Sequence, residues 1–198
     1  VMAVRSHCGE RFDDATAEKS LLNTPDWMIQ TLKNTKLTGV REVVDRGQEK
    51  KIRWLLDGAH TRESLHGVAA WLNDINADHD KVILIFNQYD RDVRRGLEEF
   101  LASVEQTHPA QRKDLISHLI VFAKESETDV DWDLASVRER FNIPEAHVVN
   151  DVKGAVKEAG AAADERSKVL VTGSFHLVGD VMKEFGKDPE AGGRKERL

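Results

Sequence analysis

The sequence predicts an α/β fold: a mainly parallel sheet of about six strands, helices on both faces, and one antiparallel hairpin at an edge. Three observations carry this prediction. Short apolar or β-branched segments fall at about 41–45, 52–56, 82–86, 118–122, 146–149 and 169–172, and most are separated by stretches with helical periodicity, as in a sheet crossed over by helices. The first two segments are joined by only about six residues, centred on Gly47-Gln48-Glu49-Lys50-Lys51, too few for a parallel crossover. Finally, 198 residues with 40% hydrophobic content suffice for one well-cored domain with short appendages and would crowd two.

Taken in order, residues 1–23 are polar and weakly periodic, a loose lead-in. A helix is expected from about Thr24, with Pro25 suited to its first turn and Trp27, Met28 and Leu32 as its apolar contacts. The segments at 41–45 and 52–56 make the edge hairpin. The next helix carries Leu65, Val68, Ala69, Leu72 and Ile75 on one stripe, and the one after it Val93, Leu97, Phe100, Leu101 and Val104, so each lies on a sheet face. Val82-Ile83-Leu84-Ile85-Phe86 is the longest uninterrupted apolar run, far too short to cross a bilayer, and reads as a buried strand. Later stripes are Leu134, Val137 and Phe141, then Val152, Ala155, Val156 and Ala159, then Val178, Val181, Met182 and Phe185. The alanine-rich helix is suited to close packing. Gly186-Lys187-Asp188-Pro189 and the charged stretch around Gly192-Gly193 read as a disordered polar tail. The expected organisation is therefore 1–38 lead-in and connecting helix, 39–186 α/β domain, and 187–198 tail.

A net charge of −6 and a pI near 5.8 argue against nucleic acid as a partner, since no dense Lys/Arg stripe is visible. Cys8 is the only cysteine, so no intrachain disulfide forms and a reduced intracellular setting is the default. The first residues lack the apolar core of a signal peptide. No membrane partner is expected.

Two stretches concentrate the chemistry: Trp54-Leu55-Leu56-Asp57-Gly58-Ala59-His60-Thr61 and Val169-Leu170-Val171-Thr172-Gly173-Ser174-Phe175-His176-Leu177-Val178-Gly179. In each, an apolar strand runs into a small-residue turn and then a helix, placing polar groups at the edge where α/β sheets bind ligands. Asp57, just past its strand, suits a ligand hydroxyl pair such as a ribose; the alternative is a helix cap, a role open to Thr61. His60 projects over a helix N-terminus, whose N–H groups suit a carboxylate or phosphate, or it serves as a structural hydrogen-bonder. Thr172, Gly173 and Ser174 reach the same crevice from the last strand, or Ser174 is an N-cap. Asn87-Gln88-Tyr89-Asp90-Arg91-Asp92 belongs to the same edge, or is a turn with helix-capping acids.

Several chemistries are excluded. A nucleophile elbow requires glycine two residues after Ser174, where His176 stands. No G-x-x-x-x-G-K-[ST] occurs, and no G-x-G-x-x-G follows a strand. The eight histidines are scattered, so no metal site built by this chain alone is expected.

Together, the blocks at 54–61, 84–92 (Leu-Ile-Phe-Asn-Gln with Arg91-Asp92) and 169–179 resemble, in order and spacing, folylpolyglutamate synthase of the eukaryotic, fungal type. Leu32-Lys33-Asn34-Thr35-Lys36 resembles the end of that family's inter-domain helix. The resemblance runs from about 24 to 186 and covers only the family's C-terminal domain, a Rossmann-like domain of the Mur ligase type. It implies an ATP-dependent ligase that activates a folate carboxylate as an acyl phosphate, which the amino group of L-glutamate attacks. The phosphate loop, the magnesium ligands and most of the folate surface belong to an N-terminal ATPase domain, the implied partner, so this chain alone is expected to be inactive. By position, Asp57 and Arg41 resemble the ATP-contacting aspartate and arginine, and His60, Gly173 and Ser174 resemble residues of the glutamate and inter-domain site. Where the family reads Trp-Pro-Gly-Arg, this chain reads Leu37-Thr38-Gly39-Val40-Arg41. The resemblance further implies a monomer in the cytoplasm, the mitochondrion or both. Two rivals stand beside it: a detached, non-catalytic interaction module that keeps the fold, and a dihydrofolate synthase-type ligase.

Overall fold

The computed structural model describes residues 25–34, 37–47, 51–76, 80–89, 92–107, 115–122 and 134–187. The chain divides into two compact units, residues 1–37 and 38–198. In the first, helix α1 (Asp26–Asn34) starts where Met28 N donates to Pro25 O at 2.9 Å. Trp27 is 66% exposed, so it is not the buried contact expected of it. The side chain of Leu32, the lead-in at 1–23, the start expected at Thr24 and all of the tail expected at 187–198 except Lys187, which ends a helix, lie outside the described residues.

The second unit contains β1 (Glu42–Arg46), β2 (Ile52–Leu56), α2 (Arg62–Ile75), β3 (Val82–Phe86), α3 (Val93–Thr107), β4 (Ile116–Phe122), α4 (Leu134–Arg140), β5 (Glu145–Val149), α5 (Val152–Ala162), β6 (Lys168–Thr172) and α6 (Phe175–Lys187). All six expected strands form one sheet in the order β1-β2-β6-β3-β4-β5. β1 and β2 pair antiparallel at the edge, with Val43 opposite Leu55, and every other neighbouring pair is parallel. The last strand therefore sits between β2 and β3. Every residue of β6 and β3 is buried, as befits strands covered on both faces.

Side-chain alternation divides the core into two layers. Leu55, Leu84, Phe86, Leu170 and Leu119 face Leu65, Leu72, Leu97, Phe100 and Val137 of α2, α3 and α4. Leu56, Ile83, Ile85, Val169 and Val171 face Ala155 and Ala159 of α5 and Val178 and Val181 of α6. Each helical stripe read from the sequence thus lies on a sheet face.

Two devices fix the ends of the sheet away from the carboxyl edge. The Nζ of Lys168, at the start of β6, lies 2.5 Å from Asp80 Oδ2 and donates to Asn76 Oδ1 at 2.7 Å, joining β6 to the segment between α2 and β3. At the far end of α6, the Arg46 guanidinium stacks over Phe185, 4.7 Å from the ring centroid, and donates to the Phe185 carbonyl. Trp54 meets the same ring edge-on at 4.9 Å.

Candidate functional site

The carboxyl ends of β2, β6 and β3 lie side by side, because Asp57 N donates to Val171 O at 3.0 Å and Asn87 N to Thr172 O at 3.4 Å. This adjacency brings the 57–61 loop next to the 173–176 loop, so the two stretches singled out in the sequence meet at one edge.

Asp57 is only 6% exposed, and its carboxylate ties two backbone segments together. Oδ1 accepts from Ala59 N and Oδ2 from Arg41 N, both at 2.9 Å. Thr61 is the N-cap of α2, its hydroxyl accepting from Ser64 N at 3.2 Å, so Asp57 does not cap that helix. Ser64 closes the box in return, its Oγ accepting from Thr61 N at 2.9 Å and His60 N at 3.1 Å.

The turn before β1 is stitched to the same loop. Gly58 N donates to Gly39 O at 2.8 Å, and Gly39 N donates to Glu42 Oε2 at 2.9 Å. Gly39 has φ +75° and Arg41 has φ +45°. A left-handed arginine costs conformational energy and persists where neighbours over-determine it, and here the Asp57 carboxylate holds its N–H. The guanidinium then leans over α2, with Nη2 3.5 Å from Gly67 O. Although Trp and Pro are absent from this block, Arg41 still reaches the edge beside Asp57.

Replacement of Asp57 tests this clasp. Two charge-assisted bonds, each worth about 1.5–3 kcal/mol before non-additivity, set the scale. Asp57→Ala is expected to lower the unfolding free energy by about 2–3 kcal/mol, and Asp57→Asn, which keeps one acceptor, by about half as much. Denaturant titration checks both, and a change under about 0.5 kcal/mol for Ala would contradict the clasp.

His60 is half-buried. Its Nδ1 lies 3.0 Å from Gly58 O, and since a carbonyl only accepts, this contact calls for a hydrogen on Nδ1, the tautomer whose lone pair is on Nε2. Gln88, buried against Gly96 of α3, donates from Nε2 to His60 O at 3.4 Å. These residues border an open cleft of about 390 Å³ that Thr61, Arg62, Asp92, Arg95 and Glu99 also line.

On the β6 side, Gly173 has φ +104°, and a Cβ there would lie 2.3 Å from Asn87 O. Asn87 is buried and donates from Nδ2 to Phe122 O at 2.6 Å, locking the end of β3 to β4. Ser174 is buried, and its Oγ accepts from His176 N at 3.1 Å, so it caps α6. A serine hydroxyl used as a cap keeps its own hydrogen for another acceptor. Thr172 Oγ1, one residue before Gly173, is buried with no hydrogen-bond partner among the described residues.

The structure thus brings Arg41, Asp57, His60, Gly173 and Ser174 to one edge. Sequence reasoning missed Phe175 and Ser64. Phe175 is 49% exposed and lies on Gly58, and Ser64 completes a capping box without the usual Glu or Gln. A hydroxyl three residues after Thr61 was the available signal for Ser64. Nothing local marks Phe175, since its partners are remote in sequence. Tyr89 extends the surface, its ring centroid 4.6 Å from that of His176. Among the described residues no group of three or more His, Cys, Asp or Glu is placed to hold a metal.

Comparison with known proteins places the chain in a family. The profile described as dihydrofolate synthetase, C-terminal domain, matches residues 40–184. A curated folylpolyglutamate synthase from Saccharomyces cerevisiae is 26% identical over 201 aligned residues, covering 91% of this chain and 36% of the yeast protein. The chain thus spans little more than a third of the length of the curated relatives it matches. Among solved structures, the bifunctional folylpolyglutamate synthase/dihydrofolate synthase of Yersinia pestis, complexed with AMPPNP and Mn ion, superposes with a TM-score of 0.56 at 22% identity, over 87% of this chain and 37% of that one. The Thermotoga maritima folylpolyglutamate synthase gives 0.53 at 22% identity, over 89% and 37%. At such identities these structures speak for the fold alone, and it is the mainly parallel six-stranded fold expected from the sequence. With the profile spanning most of the chain, the protein belongs to the dihydrofolate synthetase C-terminal domain family.

Proposed function

We propose that this chain supplies the C-terminal half of the site of a folylpolyglutamate synthase, which ligates L-glutamate to the γ-carboxylate of a folate at the expense of ATP. The observation that carries the reading is the adjacency of the β2 and β6 ends, which sets Asp57 and His60 beside Gly173 and Ser174. In the reaction, a folate carboxylate oxygen attacks the γ-phosphorus of ATP and ADP leaves; the glutamate amine then attacks the acyl carbon and phosphate leaves.

Asp57 and Arg41 are assigned to the nucleotide. Each Asp57 oxygen already holds one backbone N–H, and a carboxylate oxygen accepts a second bond, so a ribose hydroxyl pair finds acceptors in a carboxylate that is already oriented. His60, Gly173 and Ser174 are assigned to the glutamate and inter-domain side. AMPPNP and Mn are named with the Yersinia relative, and AMPPNP, Mn and L-glutamate with a further solved bifunctional enzyme, which supports ATP, a divalent metal such as magnesium, and glutamate as ligands of the complete protein. The metal and the triphosphate grip are assigned to a preceding ATPase domain, because phosphoryl transfer requires positioned charge around the phosphates. The reading also places the protein as a monomer in the cytoplasm, the mitochondrion or both.

Folate- and glutamate-dependent ADP release tests this directly. The chain alone is expected to give none, and the chain joined to the N-terminal region of its yeast relative is expected to turn over. Turnover by the chain alone would overturn the half-site, and silence of the joined protein would favour the non-catalytic module. The profile's description favours a second reading, a dihydrofolate synthase-type ligase. Offering an acceptor with and without an existing glutamate to the joined protein separates the two ligases.

A further inference from the structure

Phe175 is a large apolar side chain left 49% exposed at the first position of α6. It is far from arbitrary in placement. A Cβ at Gly58 would fall 2.3–2.6 Å from its ring atoms, so the ring lies directly on the glycine backbone. A Cβ at Gly39 would fall 3.8–3.9 Å from the same ring. Two segments therefore converge on it, the turn before β1 and the loop after β2. The ring centroid of His60 is 6.0 Å away, with the planes inclined at 64°, an edge-to-face arrangement.

We propose that Phe175 is a positioning residue for His60, its ring laid on Gly58 so that the imidazole stays with Nδ1 on the Gly58 carbonyl. Both contacts bear on one imidazole. The hydrogen bond from Nδ1 selects the tautomer, and the Phe175 ring blocks the swing that would carry Nδ1 off the carbonyl. The same ring presses on the peptide that supplies that carbonyl, so the acceptor and the imidazole are held by one side chain. Gly58 is then required because any Cβ would lift the ring, in addition to the room it gives the backbone. The inference deepens the ligase reading, on which it rests for the importance of His60, by naming the residue that sets which ring nitrogen is basic.

The test needs neither substrate nor turnover. Long-range proton–nitrogen correlations of the His60 ring are recorded on this chain at about pH 8.5, above the ordinary imidazole titration range, and assigned with His60→Gln. The wild type and Phe175→Tyr, which keeps a flat ring, are expected to show the form with hydrogen on Nδ1 as the dominant species. Phe175→Ala, Phe175→Leu and Gly58→Ala are expected to show a mixture of both tautomers, with the amide pattern of the sheet unchanged. Retention of the dominant form in Phe175→Ala or Phe175→Leu would overturn the proposal, as would its loss in Phe175→Tyr. Should Phe175→Ala fail to fold, Phe175→Leu, which keeps the apolar bulk, decides alone. Failure here leaves the ligase reading standing, and a chain that never supports ligation leaves this result standing.

Discussion

Gly173→Ala is expected to destabilise the domain by about 4 kcal/mol, combining about 1–3 kcal/mol of backbone strain with about 1–3 kcal/mol of overpacking. The position has φ +104°, where an L side chain is strained whatever the space, and the added carbon would stand 2.3 Å from Asn87 O and 3.0 Å from the Phe86 ring. Neither neighbour can retreat. Asn87 is pinned through its side chain to Phe122 O, and Phe86 is fully buried against Phe100. Relief must come from moving residue 173 itself, which drags Ser174 and Phe175 off the edge. Gly179→Ala, within α6, is the control, since a Cβ there meets nothing within 4 Å. It is expected to stabilise by about 0.5–1 kcal/mol through helix propensity. Thermal unfolding of the two variants side by side would refute the argument if they shifted alike.

Asp80→Ala is expected to cost about 3–5 kcal/mol, because it leaves the Lys168 ammonium buried without its counter-charge. The Lys168 side chain is 7% exposed, and among the described residues only the Asn76 carboxamide oxygen would remain to it. The loss is one of desolvation rather than of a favourable bond, so the double variant Asp80→Leu with Lys168→Met should recover most of it. Arg166, which also approaches Asp80 at 3.5 Å, is 73% exposed. Its replacement by Ala is expected to change stability by less than about 1 kcal/mol. Denaturant midpoints for the four proteins check the set, and a loss under about 1 kcal/mol for Asp80→Ala would show that water reaches the lysine.

These two positions differ in how visible they are in a sequence. Gly173 lies in a strand–turn–helix pattern that marks it as a ligand edge, yet the reason for the glycine is the Asn87 carbonyl, 86 positions earlier in the chain. Lys168 begins an apolar strand and looks like a solvated flank. Its burial follows from β6 lying between β2 and β3, an order that periodicity does not reveal. The same holds for Asp57. Its place after an apolar strand suggested a ligand or a cap; the structure gives the cap to Thr61 and has Asp57 hold the Arg41 N–H. Ser174 was legible as an N-cap, and it is one; accepting from His176 N leaves it on the edge beside Gly173.

The amino-acid sequence by itself determined the six strands, the edge hairpin, the inward stripes of the helices and the two loops that form the edge. Those features depend on local spacing: a period of two or 3.6, a small-residue turn, a connection too short to cross over. The tertiary structure decided the position of β6, and with it the meeting of the 57–61 and 173–176 loops, the clasp between Asp57 and Arg41, and the seat of Phe175 on Gly58. Each of these joins residues far apart in the chain through backbone atoms, and a backbone N–H or an absent Cβ carries no signature in the identity of its partner.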